Sequence, residues 1–156
     1  MVSRTASYLI KINGLGFHAS GIQPKDPDAY VIYGKPVYAP CDGTVTASRN
    51  DRPDMPVPLP DREVIECNHV LLNFEHFVLL LAHFQSGSVL VQVGDRVSVG
   101  EQLGVVGNSG NTTEPHFHIS AQLPGSPTEP LSGEPLAITI EGRYVVRNDR
   151  IRTSPR

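Results

Sequence analysis

Gly107-Asn108-Ser109-Gly110-Asn111-Thr112-Thr113-Glu114-Pro115-His116-Phe117-His118-Ile119-Ser120 is a run of turn formers that feeds an alternating segment. Nearly every position from 107 to 113 favours a loop. In the strand that follows, successive side chains point to opposite faces. His116 and His118 therefore emerge on one face, about 6.5–7 Å apart along the backbone, while Phe117 points into the core. Two imidazoles on one face beside a flexible loop are poor core material, so His116 and His118 read as functional. His83 ends another apolar run, Phe77-Val78-Leu79-Leu80-Leu81-Ala82-His83, and is placed to join them. His69 and His76 read as surface or hydrogen-bonded residues.

Working outward, the chain predicts many short strands. Ser7 to Asn13 alternates Tyr8, Ile10 and Ile12 against Leu9 and Lys11, and Asn13-Gly14 supplies a turn. Gly21 to Asp28 is a polar, Pro-rich loop. Asp42-Gly43 is a hairpin signal between two short strands. Pro53, Pro56, Pro58 and Pro60 fall close together and predict an exposed excursion at the rim of the site. Val64 to Phe84 is nearly continuous strand material that turns at Glu75 and His76. Ser88 to Val106 is Val-rich and broken at Gly94-Asp95 and Gly100-Glu101. Ala137 to Ile140 pairs with Tyr144 to Val146 across Glu141-Gly142-Arg143. The expected organisation is one domain over residues 1–146, with a disordered tail over 147–156.

Composition agrees with an all-β reading. Among 156 residues, fourteen Gly and fourteen Pro favour turns, and no apolar period of 3.6 residues is sustained. A chain of this size buries roughly 68–70% of its extended surface, enough for one core. The net charge of −3 comes from interspersed signs, which speaks against nucleic acid and anionic membranes as partners. Cys41 and Cys67 carry no metal-binding spacing. They read as two buried thiols, with pairing in an oxidising compartment left open. No secretory leader or membrane-length segment is evident, so the chain as written is expected to remain where it is made unless it is a fragment.

Read together, the motifs resemble the lysostaphin/LytM-type zinc metallopeptidases, over roughly Thr5 to Gln122. Gly34-Lys35-Pro36-Val37-Tyr38-Ala39-Pro40-Cys41-Asp42-Gly43-Thr44-Val45 is similar to that family's G-x-P-V-x-A-P-x-D-G-x-V segment. Leu81-Ala82-His83-Phe84 resembles its Y/L-A-H-L strand. Val93 to Gly104 resembles V-x-x-G-D-x-V-x-x-G-Q-x-I-G, and Gly107 to Thr112 with Pro115 to His118 resembles G-N-T/S-G-x-S/T followed by P-H-L-H.

The resemblance implies an all-β fold, a mostly antiparallel sheet and barrel-sandwich hybrid with few or no helices. It also implies peptidase chemistry on cell-wall cross-links, with one zinc held by His, Asp and His. Carried over residue by residue, His118 is the metal ligand, while His83 and His116 handle protons and stabilise the oxyanion. Relatives often act outside the cytoplasm. The first half of the ligand set does not carry over: Tyr8 falls where the ligand Asp is expected and Arg4 where the first His is expected. His18 is the nearest imidazole, and Asp26 and Asp28 lie in the Pro-rich loop. The resemblance thus implies weak or incomplete zinc binding and weak or no catalysis, with a non-catalytic peptide- or partner-binding module as the alternative. A lipoyl- or biotinyl-type carrier shares the Gly-Asp punctuation but needs a lysine at a hairpin tip, and Lys11, Lys25 and Lys35 are not so placed.

Overall fold

The computed structural model describes residues 6–60, 66–146 and 149–152. Arg4, the Val64-Ile65 start of an expected strand, and most of the expected tail lie outside them. Twelve short elements follow one another: β1 (Ala6–Leu9), a 3-10 turn (Pro27–Ala29), β2 (Pro36–Tyr38), β3 (Gly43–Arg49), β4 (His69–Phe74), β5 (Phe77–Ala82), β6 (Arg96–Val97), β7 (Gln102–Val105), β8 (Phe117–Gln122), β9 (Pro135–Leu136), β10 (Thr139–Ile140) and β11 (Arg143–Tyr144). The fold is all-β and antiparallel throughout. Its main sheet is open and runs β1-β8-β5-β4-β3-β6, with β9 also on β8. Among the described residues, no helix is long and apolar enough to cross a membrane.

The core lies between this sheet and the β2–β7 pair. Val45, Val70, Leu72, Leu81 and Ile119 from the sheet meet Val37 and Leu103 from the pair, and Phe84 closes the cluster. Central β4 and β5 are the most apolar segments of the sequence and the most buried strands, as expected where both neighbours are also strands. Full burial of a Leu or Phe in such a core is worth about 1.5–3 kcal/mol. The β4–β5 turn falls at Glu75-His76, in agreement with the sequence reading.

Several local expectations are corrected. β1 stops at Leu9, four residues short of Asn13. Its antiparallel register on β8 pairs Leu9 with Phe117, so continued pairing would soon reach Pro115, which has no N–H to offer a ladder. Asp42-Gly43 closes no hairpin, because β2 pairs with β7 while β3 pairs with β4 and β6. The Asp42 carboxylate instead accepts the Val99 N–H at 2.7 Å, tying the corner to the neighbouring turn. The last hairpin turns on Glu141-Gly142 alone, both at positive φ, which leaves Arg143 in the strand.

The Pro-rich segment is exposed at Pro53, Pro56, Pro58 and Leu59, as expected, and is anchored to the fold between them. Val57 is buried, its N–H bonds the Lys25 carbonyl, and Asp54 bridges to Ser109. Cys41 and Cys67 are unpaired and partly rather than fully buried. Burial raises both thiols above their ordinary pKa and keeps them protonated.

Candidate metal centre

Three strand ends converge on the site. His118 sits within β8 and is flanked across the ladder by Ala82 of β5 and Tyr8 of β1. Directly opposed residues face the same side of a sheet, so Tyr8 and His118 share one face. His116 lies just before β8, on the same face two residues earlier. His83 follows β5 at a φ of 66°, the left-handed region that a non-glycine residue adopts only under constraint from its surroundings. That constraint is visible: the Gly107 N–H donates to the His83 carbonyl at 2.8 Å.

The imidazoles form a compact group. Ring centroids lie 4.5 Å apart for His83 and His116, 5.7 Å for His83 and His118, and 6.3 Å for His116 and His118. One ring nitrogen from each lies within 4.8 Å of the other two. The sequence reading of His83, His116 and His118 as one cluster is thus realised in space.

Two of the three rings are held by backbone carbonyls. His83 Nδ1 faces the Ser109 carbonyl at 2.8 Å, and His116 Nδ1 faces the Glu114 carbonyl at 2.9 Å. A carbonyl only accepts, so each Nδ1 carries the proton and each Nε2 presents a lone pair. Burial lowers the pKa of all three rings. His116 is pushed down to about 3, by burial first and by the adjacent His83 second. His83 is lowered by burial against the opposing pull of the Ser109 carbonyl, and His118 by burial. All three are neutral imidazoles near pH 7, the form that binds metals and accepts protons.

Beneath the rings, the loop expected to be flexible is buried and hydrogen-bonded. Asn108 and Ser109 are fully buried and Thr112 is nearly so. Ser109 Oγ donates to the Phe84 carbonyl at 2.8 Å and accepts the Asn68 N–H at 3.0 Å. Thr112 Oγ1 lies 3.2 Å from His116 Nδ1 and 2.9 Å from the Glu114 carbonyl. Asp54 accepts the Asn108 N–H at 2.7 Å and the Tyr33 hydroxyl at 2.8 Å, which joins the Pro-rich segment to the loop. Backbone contact there is close enough that a Cβ at Gly107 would collide with the Gln85 main chain, and one at Gly110 would come within 2.7 Å of Cys67 Cβ. Small residues in this loop serve packing as well as turning.

On the other side of the cluster, Tyr8 stacks on His116 with centroids 3.8 Å apart and planes 15° from parallel. Its hydroxyl bonds no imidazole; it donates to Glu114 Oε1 at 2.9 Å. Burial, and then the Glu114 carboxylate, raise the Tyr8 pKa, so it remains a phenol. His18 Nε2 lies 3.5 Å from the other oxygen of the same carboxylate. Leu9 turns the opposite way and packs against the core.

Sequence reasoning did not single out Glu114, although it directly precedes Pro115-His116, nor Asn68 and Asp54; Ser109 and Thr112 entered it as positions of the G-N-T/S-G-x-S/T resemblance, without a structural role. Asp26 caps the 3-10 turn by accepting the Asp28 N–H at 3.0 Å and is not brought to the imidazoles. His69 bonds the Cys67 carbonyl at 2.9 Å and His76 lies exposed in the β4–β5 turn, the ordinary roles expected of them.

Comparison with known proteins follows the same outline. A peptidoglycan DD-endopeptidase of Vibrio cholerae, ShyA, is 27% identical over 108 residues, 69% of this chain and 22% of that protein. The chain thus spans about a fifth of the length of this relative. The catalytic domain of a prophage-encoded M23 protein, EnpA, from Enterococcus faecalis superposes with a TM-score of 0.50 at 19% identity, covering 82% of this chain and 92% of that one. A zinc-containing peptidase from Vibrio cholerae gives a TM-score of 0.46 at 19% identity, over 73% of this chain and 36% of that one. The model of peptidase family M23 matches residues 27–130, a span that takes in His83, His116 and His118 and begins after β1. With two thirds of its length matched and the antiparallel fold in place, the chain belongs to peptidase family M23.

Proposed function

We propose that this M23 domain recognises peptide of the cell-wall cross-link type beside its three imidazoles, and that its hydrolysis is weak or absent. The observation that carries the reading is Tyr8. It pairs with His118 across the ladder and stacks on His116, at the point of β1 where the resemblance expects a carboxylate ligand. A phenol held protonated beside Glu114 is a poor substitute for a ligand carboxylate, because it brings no negative charge to a cation.

The remaining donors still suit zinc in kind: neutral imidazole nitrogens converge, and the Nδ1 protons of His83 and His116 are engaged by carbonyls. In the family assignment His118 holds the metal, and the metal when bound polarises a carbonyl and acidifies a water. His83 and His116, neutral with free Nε2 lone pairs, are suited to take a proton or to donate a hydrogen bond to a developing oxyanion. With no carboxylate brought by β1, the cation is held less firmly than the resemblance expects, so turnover is low and peptide binding is the surviving property. The peptide class follows from the name of the Vibrio cholerae relative.

The test is to incubate the purified domain with zinc and with cross-linked peptidoglycan fragments, and separately with intact sacculi. Co-sedimentation with sacculi and no zinc-dependent release of peptides are expected. Zinc-dependent cleavage that disappears in His83→Ala or His116→Ala would restore the full enzyme reading. Absence of co-sedimentation would remove the binding one.

A further inference from the structure

We infer that His83, His116 and His118 act together as an all-imidazole site for a first-row divalent cation, so that the two histidines assigned to proton handling become ligands. This rests on the reading above that β1 brings no carboxylate to the site. Were a carboxylate ligand present beside His118, it would draw the cation toward β1. Without one, the donors grouped with His118 are those of His83 and His116.

Three observations carry the assignment. The ligand nitrogens of the three rings lie within 4.8 Å of one another. A tetrahedral zinc with bonds of about 2.0–2.1 Å spaces its nitrogen ligands roughly 3.3 Å apart. His83 and His116 are held by hydrogen bonds, so the adjustment falls to the His118 ring, for which the described residues show no hydrogen bond. His83 and His116 are already set in the tautomer a metal needs, because their Nδ1 protons are committed to the carbonyls of Ser109 and Glu114. Such outer partners are the usual support of ligating histidines. Finally, Tyr8 covers the face of the His116 ring, whereas the Nε2 lone pair lies in the ring plane, so the stack fixes the ring and leaves its donor edge open.

An all-nitrogen set suits Zn²⁺, Ni²⁺ and Cu²⁺ and disfavours Mg²⁺ and Ca²⁺, which take oxygen ligands. Occupancy consumes the lone pairs that a general base would use, so loading with metal and proton transfer oppose each other in this chain.

Calorimetric titration of the domain with Zn²⁺ distinguishes the alternatives. His83→Ala, His116→Ala and His118→Ala are each expected to weaken binding by more than about tenfold, while His69→Ala changes nothing. If only His118→Ala has an effect, or none has, the proposal falls. Since a substitution in the buried cluster can unfold the domain, the imidazole ¹⁵N resonances of the unaltered chain provide an independent reading. Zn²⁺ should shift the Nε2 signals of His83, His116 and His118 together, whereas movement of the His118 ring alone contradicts the proposal. Neither readout involves peptide, so the proposal and the peptide-binding reading fail in separate experiments.

Discussion

On one side of the imidazole cluster, His83 and His116 are locked by carbonyls of Ser109 and Glu114, above Asn68, Asn108, Ser109 and Thr112, all buried. On the other side, Tyr8 is about half exposed at 49%, and it meets His18 only through Glu114 at the water's edge. The first side is built from polar groups that cannot be removed singly, since each supports the next and an unpaired buried donor costs about 1–3 kcal/mol. On the second side, β1 is an edge strand of four residues, and its Tyr8 lies on the His116 ring with its hydroxyl bonded to Glu114 and not to that ring. A ligand there can be exchanged without loss of the fold. Substitution at β1 is therefore expected to disturb the fold less than substitution at the ends of β5 and β8.

Acid should expose the contrast most strongly. A histidine in the unfolded chain takes up its proton near pH 6.5, whereas folded His116 does so only near about 3. Between those values the unfolded state binds more protons, so stability falls as pH drops from about 6.5 toward 3. His116 alone removes on the order of 3 kcal/mol by pH 4. Urea midpoints at pH 7.5, 5.5 and 4.5 measure this, and His116→Gln should flatten the slope. An equal slope in that variant places the acid sensitivity elsewhere.

Asn68→Ala comes next. It strips partners from the Arg52 N–H and carbonyl and removes one donor from the Phe84 carbonyl, and should destabilise by about 2–3 kcal/mol in urea unfolding. Thr112→Val, which removes the hydroxyl bonded to the Glu114 carbonyl and beside His116 Nδ1, should cost about 1–2 kcal/mol. On the exposed side, Tyr8→Phe gives up only the hydroxyl contact with Glu114 and should change stability by less than about 0.5 kcal/mol. A Tyr8→Phe loss equal to that of Thr112→Val would erase the distinction between the two sides.

How far the sequence revealed this arrangement depends on the range of the interactions involved. The three imidazoles were legible because a strand's period of two sets His116 and His118 on one face, and the apolar run of β5 ends at His83. The β4–β5 hairpin was legible for the same local reason. Asp42-Gly43 misled because its side chain bonds Val99, 57 residues away, and a pair of turn formers does not disclose which strand a chain will meet. The 107–113 loop reads as flexible from its Gly, Asn and Ser, yet those small polar residues fill a buried space and bond one another across the fold. Asn68 was missed because its partners Arg52, Phe84 and Ser109 are distant in sequence, and the Glu114 side chain because it meets Tyr8 and His18 only in the fold.

The central claim is that Tyr8 occupies the place of a metal-ligating carboxylate beside the imidazoles of His83, His116 and His118. Calorimetric Zn²⁺ titration of Tyr8→Asp against the unaltered domain tests it most directly. A carboxylate opposite His118 should tighten binding by more than about tenfold, since each 1.4 kcal/mol of added interaction is a factor of ten. If the folded Tyr8→Asp domain binds Zn²⁺ no better than the parent, β1 does not border the metal position, and the account of a site lacking its carboxylate is contradicted.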